Sequence, residues 1–145
     1  MGLLDLRVTA APELQSQLAI RAAGSIRFAT YNASLNRNGP GELVRDLSTP
    51  DNAQARRIAE VIQRVRPDVL LINEFDHDDT GEAARLFELN YLGRAQRDAA
   101  PLRFPYRYTA PVNTGMPSGL DLDNDGRIGG GGDALGFGLF AGQYG

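Results

Sequence analysis

The stretch "PDVLLINEFDHDD", residues 67–79, decides the fold. Val69–Ile72 reads as a short buried strand, with Asp68 ahead of it. The chain then turns polar at once, through Asn73, Glu74, Asp76, His77, Asp78 and Asp79. A short apolar run bounded by turn residues is the mark of a core strand of a parallel sheet. Its tip carries an amide and a carboxylate, which calls for an explanation beyond packing.

Working outward, Pro67 ends the clearest helix in the sequence. Asp51 can cap that helix, and Ala55, Ile58, Ala59, Ile62 and Val65 form an apolar stripe at helical spacing. Before it, "SIRFATYN" alternates, with Ile26, Phe28 and Thr30 on one face, and reads as a strand ending at Asn32. A short helix at Glu42–Leu47 lies between. Residues 25–74 thus form a strand–helix–strand unit, whose usual form is parallel with a right-handed crossover. Beyond it a helix runs from about Glu82 to Leu92, and a short strand is expected at Tyr106–Thr109. The side chains of Phe104, Tyr106 and Tyr108 are then core, the alternative being a stacking surface for bases. From Gly115 to Gly142 the chain is glycine-rich. Residues 1–24 read as an N-terminal extension, with a weak strand near Leu4–Val8 and a short helix from Pro12.

Composition narrows the chemistry. The 145 residues are 42% hydrophobic and 23% charged, which suits one globular domain. A net charge of −3 gives no global pull toward nucleic acid. All 15 basic residues are arginine, so Schiff-base and P-loop lysines are excluded. Without cysteine there is no thiol nucleophile or thiolate metal site, and the single histidine, His77, excludes a multi-histidine metal site within this chain. His77 itself reads as a solvated loop residue. No stretch is apolar enough to span a bilayer. Residues 1–25 carry Asp5, Arg7, Glu13 and Arg21, so they lack the apolar core of a signal peptide. A secretion signal, if one existed, was removed or lies upstream. Secreted and periplasmic locations stay open, and nothing implies a protein partner.

Asn32 and Glu74 stand at corresponding places, each after an extended apolar strand of the same unit. In open α/β sheets, sites form at the carboxyl ends of strands. A carboxylate oxygen with an amide carbonyl suits a hard cation such as Mg²⁺. The plain alternative is that both are ordinary loop starters. Asn32-Ala33-Ser34 also fits a glycosylation sequon, a use that competes with a site role.

"IRFATYNASLNR" followed by "NAQARRIAEVIQRVRPDVLLINEFD" resembles the opening of the endonuclease/exonuclease/phosphatase superfamily. The later run "PVNTGMPSGLDLDNDGRIGGGGDALGFGLFAGQYG" resembles a bacterial subgroup of it. The resemblance implies an α/β fold, the N-terminal half of a DNase I-like four-layer sandwich of two sheets flanked by helices. It implies that residues 25–145 are a partial domain, truncated at its C-terminal side. It implies a metal-dependent hydrolase of phosphate esters, most nearly a nuclease-like phosphodiesterase, acting with Mg²⁺ or Mn²⁺ on a phosphate-ester substrate that includes nucleic acid among its candidates. Glu74 would hold the ion and Asn32 would sit beside it, as catalytic and metal residues. Asn73 stands where many members have glutamine. The family's Asp-x-Asn motif and late Asp-His pair do not occur in this sequence, so the chain alone is expected to be inactive.

"DLDNDGRIGGGGD" is a separate signal. Asp121, Asp123 and Asp125, then Gly126, match the first half of an EF-hand-type Ca²⁺ loop. Gly132 occupies the twelfth position in place of the usual glutamate, and Asp133 could serve instead. The other reading is a solvated acidic turn. Two rivals to the enzyme therefore stand: a non-catalytic, calcium-stabilised binding or structural module, and an inactive fragment of the enzyme.

Overall fold

The computed structural model describes residues 25–143. The strand near Leu4–Val8 and the helix from Pro12 lie outside these residues. In chain order the elements are β1 (Phe28–Leu35), α1 (Glu42–Leu47), α2 (Ala53–Val65), β2 (Val69–Phe75) and α3 (Glu82–Phe87). A π-helical turn, Glu88–Leu92, continues α3, and a 3₁₀ turn spans Gly131–Asp133.

β1 and β2 pair in parallel, Phe28 with Val69, Thr30 with Leu71 and Asn32 with Asn73. This is the strand–helix–strand unit expected from the sequence. β1, however, runs three residues past Asn32. The register slips between Asn32 and Leu35, where Leu35 takes Phe75 as partner. Two residues of β1, Ala33 and Ser34, therefore face the single Glu74, a β-bulge.

Periodicity locates α2, but its cap is Asn52, not Asp51: the Asn52 side chain accepts the Ala55 amide at 3.0 Å. Asp51 lies one residue too early for that amide. Ala55, Ile58, Ala59 and Ile62 are buried as the stripe requires, and Gln63 joins them. Arg66 ends the helix in the left-handed region, ahead of Pro67. Leu35, Leu43, Leu47, Phe87 and Tyr91 complete the core. Phe87 meets Phe75 edge-on at 5.8 Å and stacks on Tyr91 at 5.9 Å.

Among the described residues the sheet is covered on one face only. Ala33 and Leu35 point into the core, whereas Phe28, Val69 and Leu71 are exposed on the other side. β2 is therefore a half-buried strand, not a fully buried one. The expected strand at Tyr106–Thr109 does not form among the described residues, and Tyr106 and Tyr108 are 88% and 90% exposed. Only Phe104 packs against the core. Mixed helix and strand content fits an α/β fold. Among the described residues there is one two-stranded sheet, and no second sheet.

Candidate functional site

Parallel pairing brings the carboxyl ends of β1 and β2 side by side. Regular alternation puts register partners on the same face, so Asn73 accompanies Asn32. Thr30 accordingly donates its hydroxyl to Asn73 Oδ1 at 3.0 Å. Glu74, one residue on, would face the opposite side of a regular strand. It does not, because its φ is +52° and Ser34 opposite has φ +48°. Left-handed backbone at a non-glycine residue costs of order 1–3 kcal/mol. Here two such residues swing the carboxylate round to Asn32.

The result is a small polar network. Asn32 Nδ2 donates to Glu74 Oε1 at 2.7 Å. Asn32 Oδ1 accepts the Ser34 amide at 3.1 Å, an Asx turn that stabilises the bulge. The Ser34 hydroxyl lies 3.4 Å from Glu74 Oε2. Glu74 remains partly exposed, with lone pairs beyond these two donors. The amide thus orients the carboxylate, while the carboxylate keeps room for a cation. Ser34 escaped the sequence reading. Its position two residues after an asparagine, the spacing of an Asx turn, is the signal the sequence offers.

His77 is half-buried, not solvated, with its Nε2 3.6 Å from Asp79 Oδ1. Its backbone amide donates to the Gln143 carbonyl. Asp76 is buried beside it and accepts the Arg37 amide at 2.8 Å. Burial pushes the Asp76 carboxyl up from its ordinary value, against the opposing pull of Gln143 and Arg37. These residues fasten the loop after β1 to the end of β2.

A second cluster lies in the glycine-rich segment. Asp121, Asp123 and Asp133 each bring one carboxylate oxygen within 4.8 Å of the others. Asp125 stands outside this group. Its amide donates to Asp121 and Asp123, both at 3.1 Å, and so folds the turn. Asp133 is buried and accepts the Leu122, Gly129 and Asp123 amides, which hold its carboxyl below the usual range, Leu122 most. A Cβ at Gly132 would stand 1.9 Å from Asp123 Oδ2. A side chain at the twelfth position would displace the Asp123 carboxylate, whereas Asp133 reaches the cluster from the thirteenth.

Polar side chains at adjacent strand ends, with a carboxylate turned toward an asparagine, make the family comparison pointed. A profile described as Endonuclease/Exonuclease/phosphatase family matches residues 29–141. The chain belongs to this family. The match starts in β1 and covers both strand tips and the acidic loop. The endonuclease/exonuclease/phosphatase family is generally a group of metal-dependent phosphoesterases and nucleases. No curated protein and no solved structure gives a significant match.

Proposed function

We propose that this chain is the metal-binding portion of a divalent-metal-dependent phosphodiesterase of the nuclease-like kind. The observation that carries the reading is the 2.7 Å contact from Asn32 to Glu74 at the tips of two parallel strands. Glu74 is the ligand, and Asn32 holds it in orientation. A hard cation such as Mg²⁺ or Mn²⁺ fits a partly exposed carboxylate with few protein neighbours, because it keeps several waters. When bound, it supplies polarisation of a phosphoryl oxygen and neutralises developing charge. Asn32 and Ser34 both hydrogen-bond the Glu74 carboxylate, so less ordering is needed on binding.

The open face of the sheet supports the two-sheet sandwich. Phe28 and Leu71 are 61% and 60% exposed, side by side with Val69. An apolar stripe of this kind on a strand pair is ordinarily covered by another layer. A second sheet, supplied from outside the described residues, would cover it and bring further catalytic groups to the tips of β1 and β2. The Asp121–Asp133 loop supports a second metal role, a structural Ca²⁺.

The test is a pair of measurements. In calorimetry on the Asp123→Ala chain, Glu74→Gln abolishes the remaining Mg²⁺ binding, and unchanged affinity would remove Glu74 from the site. Residues 1–145 alone give no metal-dependent turnover of bis-p-nitrophenyl phosphate. Turnover that disappears in Glu74→Ala would show that the machinery is already complete.

A further inference from the structure

The left-handed backbone of Ser34, φ +48°, is supported from outside the two strands. Such backbone at a non-glycine residue persists only where its surroundings hold it. Side chains hold both backbone groups of Ser34. Its amide donates to Asn32 Oδ1 at 3.1 Å, and its carbonyl accepts Gln54 Nε2 at 2.7 Å. Asn32 belongs to the same strand and moves with it. Gln54 is the second residue of α2, a helix seated in the core through Ala55, Ile58, Ala59 and Ile62. Gln54 therefore ties the bulge to the body of the fold.

Gln54 is itself braced. Its Oε1 accepts the Arg37 guanidinium at 3.2 Å, and Arg37 Nε donates to Asp46 Oδ2 of α1 at 2.7 Å. The Arg37 backbone is fixed as well, its amide donating to Asp76 at 2.8 Å and its carbonyl accepting the Gln143 side chain at 2.6 Å. Chemistry permits one orientation of the Gln54 amide. A guanidinium only donates and a carbonyl only accepts, so Oε1 must meet Arg37 and Nε2 must meet Ser34. A half-buried glutamine bonded at both ends cannot turn without breaking one contact.

We propose that Gln54 is a positioning residue for the Glu74 site: by holding the Ser34 carbonyl it fixes the left-handed turn that brings the Glu74 carboxylate round to Asn32. Its side-chain hydrogen bonds go to Ser34 and Arg37, so it acts through the Ser34 backbone. Glu74 follows because Ser34 stands opposite it in the bulge, with the Ser34 hydroxyl 3.4 Å from Glu74 Oε2. The consequence for metal affinity rests on the reading of Glu74 as the ligand. The consequence for the geometry of the carboxylate does not.

Two measurements on the 145-residue chain test it, both in the Asp123→Ala background and at a temperature where every variant is folded. The first is metal-free and follows the Asn32 Nδ2 protons by nuclear magnetic resonance, with Glu74→Ala giving the position of the unpaired amide. Gln54→Ala moves the Asn32 resonance toward that position. Gln54→Glu does the same, because it keeps the length and the Arg37 contact and loses only the donor. The second is calorimetry with Mg²⁺, in which Gln54→Ala raises the dissociation constant about ten-fold. Glycine takes left-handed backbone at ease, so in the Ser34→Gly background the same change has an effect of about two-fold or less. An unmoved Asn32 resonance in Gln54→Ala, or a wild-type resonance in Gln54→Glu, overturns the positioning role. An effect on affinity that is equally large in the Ser34→Gly background overturns the route through Ser34. A moved resonance, in a chain whose Mg²⁺ affinity Glu74→Gln leaves unchanged, overturns Glu74 as the ligand and supports Gln54 as the residue that aims it.

Discussion

Asn32 donates its side-chain amide to Glu74 across two parallel strands, although strict alternation would put the two residues on opposite faces. The contact exists because the backbone leaves the regular strand at Glu74 and Ser34. If Asn32 orients a ligand, its loss should weaken metal binding without removing the ligand. A side chain that holds a metal ligand in its orientation is worth roughly 10–100-fold in affinity. Asn32→Ala is expected to raise the Mg²⁺ dissociation constant by about that factor in calorimetry, with the thermal midpoint little changed. An affinity equal to wild type would make the contact incidental.

Ser34 tests the strain itself. At φ +48° a β-branched residue is strongly disfavoured and glycine is at ease. Ser34→Val should cost about 1–3 kcal/mol by this argument. Ser34→Gly should be close to neutral, because relief of strain offsets the lost hydroxyl contacts and the added freedom of the unfolded chain. Urea midpoints of the two variants give the ordering. Equal losses would mean that the hydroxyl, not the backbone, sets the cost.

The strand–helix–strand unit was legible because α2 repeats its apolar positions at helical spacing and Pro67 stops it. The bulge was not. It depends on the backbone of Ser34 and Glu74, two residues with no glycine signature, and only pairing reveals it. Gln63 was also missed: it sits in the apolar stripe, but its amide donates to the Leu92 and Arg94 carbonyls while its carbonyl accepts the Gln96 amide. A pattern reader sees a polar residue in a helix, not the turn 30 residues later that needs its hydrogen bonds. The 104–112 run has strand composition, but among the described residues it pairs with no strand, and composition does not encode pairing.

Asp78 gives a pH dependence with a definite sign. Desolvation acts to raise its pKa, but the Thr80 hydroxyl and the amides of Ala83, Glu82 and Thr80 outweigh it, so the folded value lies below the ordinary 3.8. The amides of Glu82 and Ala83 belong to the first turn of α3 and donate at 2.9 Å each. A depressed carboxylate stabilises fully above its unfolded pKa, and that contribution fades as pH falls through the folded pKa. Asp76, raised by burial, has the opposite sign and persists in the variant. Asp78→Asn should therefore cost about 1 kcal/mol at neutral pH, a capping loss. The gap from wild type should close on acidification below about pH 4. A gap constant with pH would remove the charge from the account.

The acidic loop makes the most separable prediction. Asp121, Asp123 and Asp133 converge to within 4.8 Å, and like charges this close repel unless a cation lies among them. Gly129 and Gly130 both have positive φ, so the loop holds backbone that is free to disorder when unliganded. Binding to the folded state alone raises stability by mass action. Ca²⁺ is expected to raise the melting temperature and to protect 121–133 from proteolysis. Mg²⁺ should do so less, since it demands tighter octahedral geometry. Asp123→Ala should abolish the Ca²⁺ effect and leave Mg²⁺ binding at Glu74 intact, because the two clusters share no residue. Asp125→Ala should weaken the Ca²⁺ effect less than Asp123→Ala, since Asp125 stands outside the converging group and acts through its backbone amide. Melting and digestion that are the same in Ca²⁺ and in chelator would leave the loop as an acidic turn held by its own amides.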